Sequence, residues 1–280
     1  MKEPRFIPLI SDYGFKATFG NESDSLFLRK ALQALIVSDQ PITSVTFLPN
    51  ELSRLTFDGR SGIYDLACQD EAGNFFIVEM QLGEYPEFIQ RMKFYSLYRF
   101  NTLVKEGEYK FDQLPRIYCI GILANTIFPQ IQAYHNMAVL RNQNNELIDD
   151  QTVFITVELA KFTKEQPAVV SDLDKLLYTM KTLHTVTEPT QWPQFWTEEW
   201  LKRAIDELDT RAMGPEERLQ YEMTLSANAL AVKNEKRKID EVRKQAIVKA
   251  LRGGRLTIDE IADYNNVTTD FVLNVQRELK

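Results

Sequence analysis

Three polar side chains interrupt a stretch that is otherwise apolar. In residues 62–82, GIYDLACQDEAGNFFIVEMQL, Asp65 breaks the first apolar run, and Glu79 and Gln81 break the second. Two carboxylates held close together in apolar surroundings cannot both remain bare anions. They need a proton, a cationic neighbour or a metal ion. With only His135 and His184 in the chain, a His-rich zinc site or a Ser/His/Asp triad is disfavoured. A metal here should be a hard cation held by carboxylates.

The elements that position these residues follow from the pattern. Strand-type residues (Ile63, Tyr64, Leu66, Phe75, Phe76, Ile77, Val78) bracket a turn over 70–74, in which Gly73 can take a positive φ. Closing the hairpin about Ala72 pairs Gln69 with Phe75, Ala67 with Ile77 and Asp65 with Glu79. Period-two alternation then puts Asp65, Glu79 and Gln81 on one face with Ile63, Ala67 and Ile77. The other face (Tyr64, Leu66, Cys68, Phe76, Val78, Met80) is apolar throughout. Directly opposed residues have Cβ atoms roughly 5 Å apart, where like charges repel. Pro86 starts a helix expected over 87–106 and Gly107 stops it. Arg91 and Tyr95, four apart, share a face of that helix just after the hairpin.

Around this centre, residues 4–20 read as extended or irregular, and they contain Asp12, Phe15, Lys16 and Phe19. Ser23 is the expected cap of a helix over 24–37. Residues 42–52 read as a strand broken at Pro49, and Gly59 and Gly62 mark a bend. RIYCIGILAN at 116–125 has the continuous apolar character of a strand buried on both faces. Residues 152–162 give a further strand. Beyond Gln166 the chain turns helical: 172–184, 197–210 after the Trp192/Trp196/Trp200 cluster, and a long polar helix from 215 to about 252, ended by Gly253 and Gly254. Residues 256–279 read as two short helices, with a Thr257/Glu260 capping box and a turn at Asn265 and Asn266. The expected division is a core over 1–166, a helical extension over 167–252 and a small helical hairpin over 253–280.

Composition sets outer bounds. The chain has 280 residues, 44% hydrophobic and 26% charged, which is that of an ordinary globular protein. No apolar run of about 18 residues predicts a membrane span, and the N-terminus has no apolar signal core. Cys68 and Cys119 both fall in predicted strands and read as reduced core residues, so a cytoplasmic location is expected. Net charge is −7, yet residues 233–255 carry nine Lys/Arg against three Asp/Glu. Such a basic segment on an acidic body permits phosphate binding but equally describes a solvated helix face.

The order of helix, Asp65 strand, turn, strand with Glu79-Met80-Gln81, helix with Arg91 and Tyr95, and buried strand resembles the core of PD-(D/E)XK phosphodiesterases. More narrowly it resembles the PD-(D/E)XK nuclease family transposases, the group that includes recombination-promoting nucleases. The matching features are DYGFKATFG at 12–20, IVEMQ at 77–81, FIQRMKFYSLY at 88–98, Gly107 with Tyr109, VELAKF at 157–162, and PEERLQYE at 215–222 followed by a charged helix. The resemblance spans roughly residues 5 to 235. It implies an α/β, restriction-endonuclease-like core, a mixed central sheet flanked by helices, with an α-helical C-terminal extension. It also implies Asp65 and Glu79 as metal ligands, joined by the Met80 backbone carbonyl, with Mg²⁺ or Mn²⁺ as the ion. The family's third position is commonly Lys and here is Gln81, a residue also seen there. Gln81 is the candidate to orient water or phosphate, since Gln hydrogen-bonds but carries no charge. Arg91 is the candidate to replace that charge, Tyr95 to orient a ligand and Lys16 to serve as a second cation.

The activity implied is metal-dependent cleavage of DNA, double-stranded in the expected case, linked to transposition or recombination in a bacterial cytoplasm. A homodimer is compatible, with the 215–252 helix as its surface. Two alternatives stand beside it: a degenerate nuclease fold acting as a DNA-binding or protein-interaction module, and RNA as the substrate. The plain alternative for Asp65 with Glu79 is a polar pair at a sheet edge, or a salt bridge to Arg91 or Lys16. Tyr95 beside Phe94 and Leu97 equally fits core packing, and Glu158 and Asp150 read as structural. The 256–279 hairpin is compatible with a helix-turn-helix reader or with a docking element.

Overall fold

The computed structural model describes residues 5–50, 64–83, 87–103, 114–186, 192–254 and 256–279, with backbone alone at nine positions between 227 and 239. Gly59, Gly62, Ile63, Pro86, Gly107 and Tyr109 lie outside the described residues. Two compact units are present, Met1–Gly214 and Pro215–Lys280. The boundaries read from the sequence at 166/167 and 252/253 do not coincide with these. Helices after residue 166 pack on an early helix of the first unit, and the last two helices pack on the end of the long one.

The first unit is a mixed six-stranded sheet in the order β1-β2-β3-β4-β6-β5. Its strands are β1 (Val45–Phe47), β2 (Leu66–Asp70), β3 (Phe75–Gln81), β4 (Ile117–Leu123), β5 (His135–Arg141) and β6 (Leu147–Glu158). β3, β4 and β6 run parallel, and the other neighbours are antiparallel. A parallel pair needs a crossover, and the helix α3 (Phe88–Leu103) supplies it between β3 and β4. All seven residues of β4 are buried, as its unbroken apolar run requires. One sheet face packs Ala67, Phe75, Ile77, Ile117, Cys119 and Leu123 against Phe88, Met92 and Tyr95 of α3. The other face is buried too, through Cys68, Phe76, Val78, Ile120 and Ile122. Both cysteines are free and buried. The fold is restriction-endonuclease-like α/β.

The β2–β3 hairpin has the register read from its pattern: Gln69 opposes Phe75, and Ala67 opposes Ile77. Gly73 takes φ +87° in the turn, which is closed by Asp70 accepting from the Gly73 and Asn74 amides. Strand alternation fails at one point. Asp65 lies on a bend just before β2, and this turns Tyr64 back into the α3-facing cluster, edge-on to Tyr95 at 4.8 Å, rather than onto the opposite face.

Other departures have local causes. Residues 12–18, expected to be irregular, form helix α1 (Asp12–Thr18). Ser11 caps it by accepting from the Gly14 amide at 3.0 Å, and Asp12 pairs with Lys16 one turn on. Ser23 does not cap α2 (Leu26–Ile36); its hydroxyl is held by Asn21, and Asp24 accepts from the Leu26 amide instead. β6 begins earlier than expected because it forms a hairpin with β5, a strand the apolar pattern missed. β5 is largely exposed and shows no alternation; its signal was the turn 142–145, in which Asn145 takes φ +65°. The helices α4 (Asp172–Thr182) and α5 (Glu199–Glu207) pack on α2, with Trp200 against Phe27 and the Trp196 indole donating to Thr179. The tryptophan cluster is therefore core. The second unit holds α6 (Pro215–Gly253), α7 (Ile258–Tyr264) and α8 (Thr269–Glu278), with the Thr257/Glu260 capping box in place.

Gly121 of β4 lies directly beside Glu79, and a Cβ there would meet the Phe88 ring at 2.4 Å. A hydrogen at this position lets α3 approach the sheet at the level of the carboxylates. Gly121→Ala should push Phe88 outward and destabilise the protein by about 1–3 kcal/mol, the usual cost of overpacking. Denaturant unfolding against wild type measures this, and an unchanged midpoint would refute the close contact.

Candidate active site

The site is built where β2, β3 and α3 meet. Asp65 is half-buried, and its Oδ2 accepts from the Met80 amide at 2.7 Å, so the carboxylate takes the place of a strand carbonyl beside β3. Glu79, one residue earlier on β3, is 3% exposed. Its Oε2 accepts from Arg91 of α3 at 3.1 Å, whereas its Oε1 is buried without a hydrogen-bond partner among the described residues. The same Arg91 nitrogen donates to Gln81 Oε1 at 3.2 Å. The i and i+2 spacing on β3 puts both acceptors on the face that α3 covers, and helical spacing carries the guanidinium over them. Phe88 and Tyr95, one turn before and after, present their rings to that guanidinium at 5.8 and 6.0 Å.

Electrostatics confirm that the carboxylates crowd one another. Burial, together with the charge of Asp65, pushes the Glu79 carboxyl up to about 8, and Arg91 only partly offsets this. Burial also raises Asp65, opposed by the Met80 amide and by Arg91. Burial and the Glu79 charge raise Tyr95. The site therefore strains to hold negative charge, and a cation would relieve it. The salt bridge to Arg91 that the sequence allowed as a plain alternative is present, but it satisfies one oxygen of Glu79 and leaves the other exposed to no donor.

The residues singled out by the sequence stand in different relations to this point. Glu79 and Gln81 are joined directly through Arg91, and Asp65 is tied to the same strand through the Met80 amide. Tyr95 forms the wall against Tyr64. Lys16 is exposed, paired to Asp12 at 3.0 Å on α1, and both are close enough to bias Asp65. Asp12 was not anticipated as part of this neighbourhood; its spacing of four from Lys16 was the available signal. A cavity of about 390 Å³ opens beside Asp65, lined by Gly20, Glu22, Phe47 and Asn50 among others. Glu158 is elsewhere engaged: fully buried, it accepts from the Ile127 and Phe128 amides and pairs with Lys161. Asp150 pairs with Arg116. Both are structural. Among the described residues no group of three or more His, Cys, Asp or Glu side chains converges. The donor set that fits a metal ion is thus two carboxylates, one with a spare buried oxygen, which suits a hard divalent cation completing its shell with water and phosphate oxygens.

The sequence pattern of the PD-(D/E)XK nuclease family transposases matches residues 9–236. The chain belongs to this family. No curated protein and no solved structure gives a match. Membership supports a nuclease related to transposition, in a family fold whose members typically use divalent metals, with DNA as the expected substrate class. No helix among the described residues is long and apolar enough to cross a membrane.

Because Glu79 holds its proton in the fold well above its ordinary range, the unfolded chain releases that proton first. The contribution of this group is full below about pH 4.5 and is lost as pH rises to about 8. Without divalent metal, wild type should lose up to about 1.4 kcal/mol per pH unit from this group across that window. Glu79→Gln should flatten the loss. Urea unfolding at about pH 5 and about pH 8 compares them; parallel pH dependences in the two proteins would contradict the assignment.

Proposed function

We propose that the protein is a divalent-metal-dependent DNA endonuclease acting in transposition or recombination, with magnesium as the ion and manganese as a substitute. The observation that carries this reading is the buried, unpartnered Glu79 Oε1 beside the Asp65 carboxylate. Asp65 and Glu79 are the ligands, with the Met80 backbone carbonyl as a further one. When bound, the ion supplies an activated water and neutralises charge on the phosphoryl oxygens. Arg91 meets the phosphate that enters between helix and strand, and its guanidinium suits an anion with two oxygens. Gln81, through its side-chain carbonyl, keeps Arg91 aligned and so stands in part for the strand lysine of related sites. Tyr95 holds the guanidinium from behind. Lys16 adds positive potential from α1. Cleavage of both strands of a duplex calls for two such sites, which a homodimer would bring together. The location that goes with this activity is the bacterial cytoplasm.

The second reading is a catalytically silent nuclease fold that binds DNA or protein. The neutral Gln81 and the ion pair that ties Arg91 to Glu79 favour it.

Plasmid nicking and calorimetric metal titration separate the two. Wild type should cleave with Mg²⁺ or Mn²⁺ and stop in EDTA. Asp65→Ala and Glu79→Ala should lose cleavage by at least about a hundredfold with an unchanged fold, the scale expected when a charge-stabilising group is removed. Arg91→Ala should retain metal binding while cleavage falls. Equal cleavage by wild type and Asp65→Ala would sink the enzyme reading, and an absence of carboxylate-dependent metal binding would leave the silent module.

A further inference from the structure

The second unit has a built core of its own that the nuclease site does not use. Ile247, Ile261, Ala262, Val272 and Val275 are almost fully buried together, with Val248, Leu251, Ile258, Val267 and Phe271 packed around them. The end of α6, the whole of α7 and the whole of α8 therefore form a three-helix cluster. The connection between α7 and α8 is short and fixed. Asn266 takes φ +49°, its amide donates to the Asp263 carbonyl, and the Val267 amide donates to the Ala262 carbonyl at 3.0 Å. This is the left-handed helix stop with a six-to-one hydrogen bond, and Val267 follows it into the core. Thr268 then caps α8 by accepting from the Phe271 amide. Two short helices joined by such a turn and resting on a third share the connectivity of the helix-turn-helix motif, in which the second helix enters the major groove of DNA.

The face that α8 turns outward has suitable chemistry. Val272 and Val275 point into the core, so the opposite stripe is Asp270, Asn274 and Arg277, all exposed. Arg277 lies within reach of Asn274 Oδ1 at 3.4 Å, so the two present one polar patch. An amide and a guanidinium are the side chains that read adenine and guanine edges in pairs of hydrogen bonds. The outer face of α7 carries Asp259 and Asp263, which phosphate would repel. The backbone contacts therefore fall to α6, where Lys249 and Arg252 are exposed within a segment of nine Lys/Arg against three Asp/Glu.

We propose that the three-helix cluster made by the end of α6 with α7 and α8 is a helix-turn-helix reader of duplex DNA, with Asn274 and Arg277 contacting bases and Lys249 and Arg252 contacting phosphates. The segment lies beyond the stretch that matches the nuclease family, and the inference does not depend on the metal site.

The test is selection of bound sequences from a random duplex pool by the full chain in EDTA, so that hydrolysis plays no part. Wild type and Asp65→Ala should enrich the same sequence. The double variant Asn274→Ala/Arg277→Ala should lose that enrichment and bind the selected duplex at least about tenfold more weakly. Lys249→Ala/Arg252→Ala should weaken all duplexes alike and flatten the dependence of affinity on salt. Thermal melting reports folding, and Arg277→Lys, which keeps the charge but cannot make the paired hydrogen bonds, should also lose the enrichment and gives an independent reading should the double variant melt early. If wild type enriches no sequence, or if the folded double variant or Arg277→Lys enriches the wild-type sequence with unchanged affinity, the cluster is not a DNA reader. Loss of cleavage by Asp65→Ala with selection intact would keep the nuclease reading and this one distinct.

Discussion

The structure turns on one unfavourable act, the burial of Glu79 beside Asp65 in the middle of a sheet. Removing a carboxylate from water costs several kcal/mol even after relaxation, and a second anion nearby adds to it. The protein offsets part of that cost with a single guanidinium, which reaches one oxygen of Glu79 and leaves the other without a donor. The arrangement is held in place because β3 pairs with β4 through Gln81, pairs with β2 as far as Val78, and beyond that point donates its Met80 amide to Asp65. Gly121 next to Glu79 lets Phe88 and α3 close over it. The same packing that makes the carboxyl reluctant to ionise keeps its free oxygen in place, where the proposed cation would meet it. Rigidity and electrostatic incompleteness thus arise from the same contacts.

The placement of charge differs from the expectation for the wider fold, where a strand lysine accompanies the two acids. Here β3 supplies an amide and α3 supplies the charge. Gln81 accepts from Arg91, so the neutral residue decides where the cationic one sits. Arginine suits this better than lysine would, because one nitrogen of its planar guanidinium touches Glu79 and Gln81 together while the ring faces of Phe88 and Tyr95 lie near the group. A helix-borne cation is more sensitive to the fit of helix on sheet than a strand-borne one. That gives the close approach at Gly121 a weight that composition alone would not assign to it.

Much of this was legible in the chain because its signals were local and periodic. The β2–β3 register followed from turn position and apolar alternation, and the Arg91–Tyr95 pairing followed from helical spacing. The unbroken run of β4 announced a strand covered on both sides. What escaped was set by tertiary partners. The seven-residue helix α1 is too short for a periodic signal and is fixed by the Ser11 cap and by packing of Phe15 and Phe19. Tyr64 changed faces because Asp65, drawn to the Met80 amide, bends the chain where alternation assumed a straight strand. β5 is exposed and borrows its order from β6. The ion pair of Glu79 with Arg91 could be placed on one face from sequence, but which oxygen it left bare could not, since that depends on the depth of burial.

The charge distribution constrains how such a protein could meet DNA at all. At −7 overall, with a strongly basic stretch confined to 233–255, the rest of the chain is more acidic than the total suggests. A diffuse attraction to a polyanion is therefore unavailable, since like charge repels phosphate over a distance of about 10 Å at moderate salt. The two acids of the proposed metal site make the same point locally. Affinity has to come from confined cationic elements, such as Arg91 and Lys16 near the carboxylates and the basic end of α6. Each of these is small, and elements that neutralise few phosphates bind weakly unless base contacts or a metal–phosphate contact add to them. Chemistry in an acidic body thus demands recognition elsewhere in the chain, and the cluster closed by α8 is a segment whose outward residues are of the right kind to provide it.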